Sequence, residues 1–192
     1  MRLYPAGMAA EPSSTNPVLS DAQWLRDLIR DIPDYPQAGV TFRDITPLLG
    51  DAAGFHRAVT DLVERFAGVE VDRVLGMEAR GFILAAPVAF HMNAAFVPVR
   101  KAGKLPWQVI REEYVLEYGT DKLEIHRDAI HPGERILVID DVLATGGTAS
   151  ATARLVEALG GEIVGLGFMI EIGDLAGRNK LGDHRVESLA VY

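Results

Sequence analysis

One stretch constrains this chain more than any other: Arg135-Ile-Leu-Val-Ile-Asp-Asp-Val-Leu-Ala-Thr-Gly-Gly-Thr148. Ile136 to Ile139 carries no polar residue. A strand with no polar face must be buried on both sides, the condition of a central strand in a parallel sheet covered by helices. A helix over Thr148–Leu159 follows at once and stops at Gly160-Gly161. Strand, glycine turn and helix in that order form the first half of a right-handed βαβ crossover.

The rest of the chain repeats that alternation. Arg73–Met77 and Ala95–Val99 are short apolar strands, with a helix between them over Arg80–Met92 that is broken or kinked near Pro87. Glu162–Ile172 and Val186–Val191 are later strands, separated by a short helix over Asp174–Leu181. Glu113–Tyr118 and Lys122–His126 flank Gly119-Thr120-Asp121, a hairpin signal. Upstream, Asp51 caps a helix to Phe66 whose Phe55, Val59, Leu62, Val63 and Phe66 share a face. Ser20 and Gln23 form a capping box for a helix carrying Trp24, Leu25, Leu28, Ile29 and Ile32 as far as Pro33, and a loop runs from Asp34 to Pro47. The pattern predicts an α/β fold, a parallel sheet of about five strands flanked by helices, with a small N-terminal hood at about residues 20–50 over the strand ends.

At 192 residues the chain suits a single domain over 20–192. Residues 1–19, rich in Pro, Ala and Ser and without an apolar period, read as a disordered extension. No apolar run is long enough to cross a bilayer, and Met1–Pro17 lacks the apolar core of a signal peptide, so no membrane partner is expected. Cysteine is absent, which excludes a disulfide scaffold, thiolate metal sites and a cysteine nucleophile and is compatible with the cytoplasm. Net charge is -8, from 19 Lys+Arg against 27 Asp+Glu. That balance argues against a nucleic-acid partner, yet leaves room for a small anionic substrate in a local basic pocket.

The chemistry concentrates where the apolar strand ends. In open α/β sheets ligands bind at the carboxyl ends of the strands, and there this strand delivers Asp140 and Asp141. Ala144-Thr-Gly-Gly-Thr148 then opens a helix. Glycines Gly146 and Gly147 let the backbone approach a ligand, the helix start offers unpaired N–H groups and partial positive charge, and Thr145 and Thr148 add hydroxyls. That is a cradle for a phosphate monoester. Two carboxylates a few residues away suit vicinal sugar hydroxyls, so the pair describes a ribose 5-phosphate. Singly, Gly146-Gly147 is also what a plain turn contains and Asp140-Asp141 what a solvated strand end contains; the combination after an unbroken apolar strand favours the site. No Lys-Ser/Thr follows the glycines, as in a Walker A loop, and the dinucleotide G-x-G-x-x-G spacing is missing. The five histidines His56, His91, His126, His131 and His184 show no metal-ligand spacing.

The segment resembles the phosphoribosyl pyrophosphate (PRPP) signature of the type I phosphoribosyltransferases, and the resemblance runs on. Asp34-Tyr-Pro-Gln-Ala-Gly-Val-Thr-Phe-Arg-Asp-Ile-Thr46 is similar to the base-binding segment of the adenine phosphoribosyltransferases. Gly76-Met-Glu-Ala-Arg-Gly-Phe82 is similar to their pyrophosphate loop, and Val97 to Pro106 and Leu116 to Ile125 to the start and end of their mobile active-site loop. These segments cover the chain from about Asp31 onward, in order.

The resemblance implies the type I phosphoribosyltransferase fold and transfer of 5-phosphoribosyl from PRPP to adenine, giving AMP and pyrophosphate in purine salvage. It implies a lid at about 101–117, Mg²⁺ held mainly by PRPP and water with Asp140 or Asp141 as the nearby carboxylates, and a homodimer. Ala144, Thr145, Gly146, Gly147 and Thr148 would hold the 5′-phosphate, and Asp140 and Asp141 the ribose. Ala79 and Arg80, after a Glu78–Ala79 peptide that the resemblance makes cis, would meet pyrophosphate with Arg100, Lys101 and Lys104 of the basic loop. Phe42 and Ile172 would stack on adenine, and the Thr41 and Arg43 backbone would read its edge. Glu117, with Tyr118 beside it, would handle the proton near adenine N7, with Glu112 and Glu113 as competing carboxylates. Plain surface or core roles stay open for Arg80, Phe42, Ile172 and Glu117. Two alternatives also stay open: a hypoxanthine or guanine enzyme of the same fold, and a PRPP-sensing regulator that binds nucleic acid, against which the charge of -8 counts.

Overall fold

A computed structural model describes residues 22–115 and 120–192. The expected N-terminal extension, Ser20 of the capping box, and Glu117 and Tyr118 lie outside those residues. The chain begins with α1 (Gln23–Asp27), β1 (Arg30–Ile32), β2 (Phe42–Asp44), α2 (Thr46–Gly50) and α3 (Ala52–Arg65). It continues through β3 (Arg73–Met77), α4 (Gly81–His91), β4 (Ala95–Lys101), β5 (Val109–Val115), β6 (Thr120–His126), β7 (Arg135–Leu143), α5 (Gly147–Ala158), β8 (Glu162–Glu171) and β9 (Val186–Val191).

The main sheet has the order β5-β6-β4-β3-β7-β8-β9. From β4 across to β9 every neighbour is parallel, which gives the predicted five-stranded core; β6 and β5 add an antiparallel hairpin at one edge. Alternation along the central strands sends side chains into two cores. Val74, Leu137, Ile139 and Met169 pack toward α3 and α4. Leu75, Met77, Ile136, Val138 and Phe168 pack on the other side with Ala151, Leu155 and Val156 of α5. Asp51 caps α3 as expected, its carboxylate accepting from the Gly54 N–H.

The crossover β3–α4–β4 moves one way along the sheet and β7–α5–β8 the other. The order therefore reverses between β3 and β7, and the crevice at that switch point is where such sheets take ligands. Pairing of β3 with β7 ends at Gly76↔Ile139. Beyond it, β7 runs on along β8 alone, through Asp140↔Phe168 to Leu143↔Glu171. The two acids thus lie within a longer strand than Ile136–Ile139, clear of their neighbour on one side.

Several other elements differ from the sequence expectation. The first helix stops at Asp27, and Arg30–Ile32 pairs antiparallel with Phe42–Asp44. Ile32 precedes a proline, which disfavours helical backbone there, and the ladder with β2 takes the freed backbone groups. The Asp34–Pro47 loop accordingly contains β2 and the start of α2. Helix α4 is one helix with Pro87 inside it. The Asp174–Leu181 helix is a pair of 3-10 turns, Gly173–Leu175 and Gly177–Lys180, separated by Ala176 at φ 49. The 101–117 span contains β5, so the connection between β4 and the hairpin is 102–108.

Candidate active site

A cleft of about 850 Å³ opens at the switch point, over the carboxyl ends of β3 and β7 and beneath the β1–β2 hood. Thr41, Phe42 and Arg43 come from the hood, Ala79 and Arg80 from the turn after β3, Lys101 from the end of β4, and Asp140, Asp141, Ala144 and Thr148 from β7 and the turn into α5. Ile172 joins them from the end of β8. An adjoining pocket of about 70 Å³ is lined by Ala144, Thr145, Gly146, Gly147 and Thr148. Residues separated by more than a hundred positions in sequence thus share one concavity.

The cradle owes its shape to two glycines. Gly146 has φ +75, open to few other residues, and a Cβ on it would press into the main-chain oxygen of Gly177. Gly81 begins α4 directly beneath the acid pair, where a Cβ would stand 2.6 Å from Asp140 Oδ1. The α5 start is thereby packed backbone against backbone, and its first-turn N–H groups surround the small pocket.

Each cation at the cleft has a carboxylate partner. Arg80 Nε donates to Asp141 Oδ2, and its guanidinium stands 5.3 Å from the Phe42 ring centroid. Lys101 Nζ is 3.0 Å from Asp121. Arg100 and Lys104 do not line the cleft. They stand at its rim, where Glu78 accepts from Arg100 Nε at 3.0 Å and Lys104 Nζ at 2.6 Å. Burial pushes the Glu78 carboxyl up, but hydrogen bonds from Lys104, the Lys101 main chain and Arg100 outweigh it and hold it below its ordinary value. Asp121 is held low by Lys101. Asp140 goes the other way: it lines the cleft but is largely buried, and burial, with the neighbouring Asp141 charge, raises it well above an ordinary aspartate. One acid is biased toward its protonated form while its neighbour is paired with Arg80. The Glu78–Ala79 peptide is cis.

Glu117 and Tyr118 lie outside the described residues. Of the competing carboxylates, Glu113 pairs with Lys122 at 2.9 Å and Glu112 with Arg154 at 2.5 Å. Sequence reasoning missed Tyr114, Asp121, Val142, Asp174, Leu175 and Tyr192, all of which line the cleft. It used Glu78 only for its peptide bond, not as the acid that gathers the rim cations. An acid next to a basic cluster was the available signal for Glu78; nothing local marks Tyr192, which only the β8–β9 pairing brings to the cleft.

Comparison with known proteins fits this geometry. The family model described as "Phosphoribosyl transferase domain" matches residues 51–188. A relative from Trichormus variabilis, named adenine phosphoribosyltransferase, is 55% identical over 170 residues, 88% of this chain and 99% of its own. One of the same name from Myxococcus xanthus is 52% identical over 179 residues, 92% of this chain and 97% of its own. Among solved structures, the adenine phosphoribosyltransferase of Thermoanaerobacter pseudethanolicus superposes with a TM-score of 0.87 at 46% identity, over 88% of this chain and 99% of that one. The Saccharomyces cerevisiae enzyme, complexed with adenine and an imino-altritol bisphosphate, gives 0.82 at 37% identity, over 88% of this chain and 97% of that one.

Proposed function

The chain belongs to the phosphoribosyl transferase family, and on that footing we propose that it transfers the 5-phosphoribosyl group of PRPP to adenine, giving AMP and pyrophosphate. The observation that carries this reading is the single cleft in which the phosphate cradle, the acid pair and the hood residues meet. The comparisons with named adenine phosphoribosyltransferases support the choice of base.

The residues divide the work. The N–H groups and hydroxyls of Ala144–Thr148 bind the 5′-phosphate at the start of α5. Asp140 and Asp141 orient the ribose through its hydroxyls. The C1′–O bond breaks with its electron pair leaving on pyrophosphate, and Arg80 and Lys101, with Arg100 and Lys104 from the rim, receive that charge. Adenine, held between Phe42 and Ile172 as the tautomer protonated at N7, forms the N9–C1′ bond with its N9 lone pair from the opposite face, and the N7 proton is then shed. Glu117 takes or steadies the proton near N7, with Tyr118 closing beside it. The span at about residues 101–117 acts as the lid that excludes water from the reacting ribosyl cation.

Mg²⁺ fits the donors available. The acids that face the cleft offer the hard oxygen ligands this ion takes, and among the described residues no group of three or more His, Asp or Glu is placed to hold a metal by itself. Asp140 or Asp141 would hold Mg²⁺ through water, and the ion, bound with PRPP, would supply charge neutralisation for the leaving pyrophosphate.

A homodimer belongs to the same reading. Helix α4 is apolar on its outward side too, with Ile83 and Phe90 exposed, and Phe96 of β4 adds to that surface. Light scattering should give a dimer, and Phe90→Asp should shift it toward monomer. No helix among the described residues is long and apolar enough to cross a membrane, and the reading places the enzyme in the cytoplasm, handling small molecules rather than nucleic acid. A screen of adenine, guanine, hypoxanthine and xanthine with PRPP and Mg²⁺ tests the function. AMP and pyrophosphate from adenine alone are expected; consumption of hypoxanthine or guanine in preference to adenine overturns the base assignment.

A further inference from the structure

Phe42 and Ile172, the two walls of the adenine slot, come from pieces of chain that share no ladder: β2 pairs only with β1, and Ile172 follows β8. Tyr192 reaches both. Its N–H donates to the Glu171 carbonyl at 2.9 Å and its main-chain oxygen accepts from the Gly173 N–H at 2.8 Å, so its backbone grips the residues on either side of Ile172. Its ring carries the Arg43 guanidinium 4.2 Å from the centroid, next to Phe42, and Arg26 of α1 at 5.4 Å. Arg43 is itself fixed by an ion pair with Asp31 on β1. Tyr192 also lines the cleft. Its Oη is buried and makes no hydrogen bond to the described residues, which leaves the ring as the part that works.

We propose that Tyr192 is a positioning residue for the base, its ring holding the hood through Arg43 while its backbone holds the Ile172 wall, so that it sets the width of the slot. The inference rests on the assignment of that slot to adenine. It predicts a defect confined to one substrate. The cradle and the acid pair stand on β7 and α5 and owe nothing to Tyr192, so PRPP recognition is untouched. A guanidinium over an aromatic ring is held by the ring's charge distribution, which a leucine lacks and a phenylalanine keeps.

Steady-state kinetics of wild type, Tyr192→Phe and Tyr192→Leu, with a thermal melt of each, make the test. Tyr192→Leu should raise the adenine KM about tenfold and leave the PRPP KM within about twofold, while Tyr192→Phe stays within about twofold of wild type for both. Should the leucine variant fail to fold, Arg43→Gln empties the ring's partner while keeping the Arg43 backbone, and should show the same one-sided rise. An unchanged adenine KM in the variant that folds, equal rises in both KM values, or a phenylalanine variant as impaired as the leucine one overturns the inference. A wild type that does not consume adenine brings down the substrate reading and this inference with it; a wild type that does, beside an unimpaired leucine variant, brings down the inference alone.

Discussion

The sides of the cleft proposed for the phosphate and for the base are built in opposite ways. The cradle and acid pair occupy one continuous run, Asp140 to Thr148, on a strand and the helix that follows it. The base side is assembled from the hood, the end of β8 and Tyr192, none adjacent in sequence. Phosphate needs many short N–H contacts at fixed geometry, which a helix start supplies locally. A planar base needs two facing surfaces, which in this fold come from separate layers. The consequence is a difference in coupling. On the phosphate side a substitution disturbs packing and binding together, because the Gly146 backbone is pressed against Gly177. On the base side binding can be damaged with the fold left standing.

That difference is open to attack at several points. The largest effect is expected at the chemistry itself: Glu117→Gln should lower the single-turnover rate by about 10²–10⁴-fold with the adenine KM changed less. Glu113→Gln is the control, since Glu113 is an exposed acid already paired with Lys122; a loss there with Glu117→Gln at the wild-type rate moves the proton role to Glu113. Next, Gly146→Ala places a Cβ at positive φ against a carbonyl oxygen. It should cost about 2–4 kcal/mol of stability by denaturant unfolding, and PRPP affinity with it. Loss of affinity at full stability would mean the cradle is not built into the packing. Phe42→Ala should cost about 1–3 kcal/mol of adenine binding, the range of base–aromatic stacking, with the melting temperature nearly unchanged. A large drop in melting temperature would erase the contrast between the two sides.

The smallest effect concerns Asp140 and carries a sign. Its carboxyl is raised in the folded state by burial and by Asp141. The folded protein therefore binds a proton that the unfolded chain has released, and stability falls as pH rises from the ordinary aspartate value of 3.8 toward the raised one. Asp140→Asn removes that penalty. It should raise the melting temperature by about 2–4 °C at neutral pH, with less gain at pH 4, while weakening PRPP binding. A melting temperature that drops at neutral pH would show that the carboxylate is stabilising.

The same contrast governs how much the sequence disclosed. Ile136–Ile139, Asp140-Asp141 and the Ala144–Thr148 turn were legible because the strand, the glycines and the helix start are consecutive. The five parallel strands followed from apolar runs separated by helical patterns. What escaped depended on pairing at a distance. Arg30–Ile32 has helical apolar spacing but becomes a strand because Phe42–Asp44 offers a ladder. The break at Ala176 and the backbone contact of Gly177 with the cradle have no local signature. That Phe42 and Ile172 line one cleft, as the walls proposed for the base, was suggested only by family resemblance, and Tyr192 was not singled out at all, since facing walls leave no spacing to read.

A crystal structure of the complex with AMP tests the central claim, because AMP carries a 5′-phosphate, a ribose and adenine in one molecule. The phosphate should sit on the N–H groups of Gly146–Thr148, the ribose hydroxyls at Asp140 and Asp141, and the adenine ring between Phe42 and Ile172. A phosphate bound at Arg100 and Lys104 instead, or adenine stacked anywhere but beneath the hood, would contradict it.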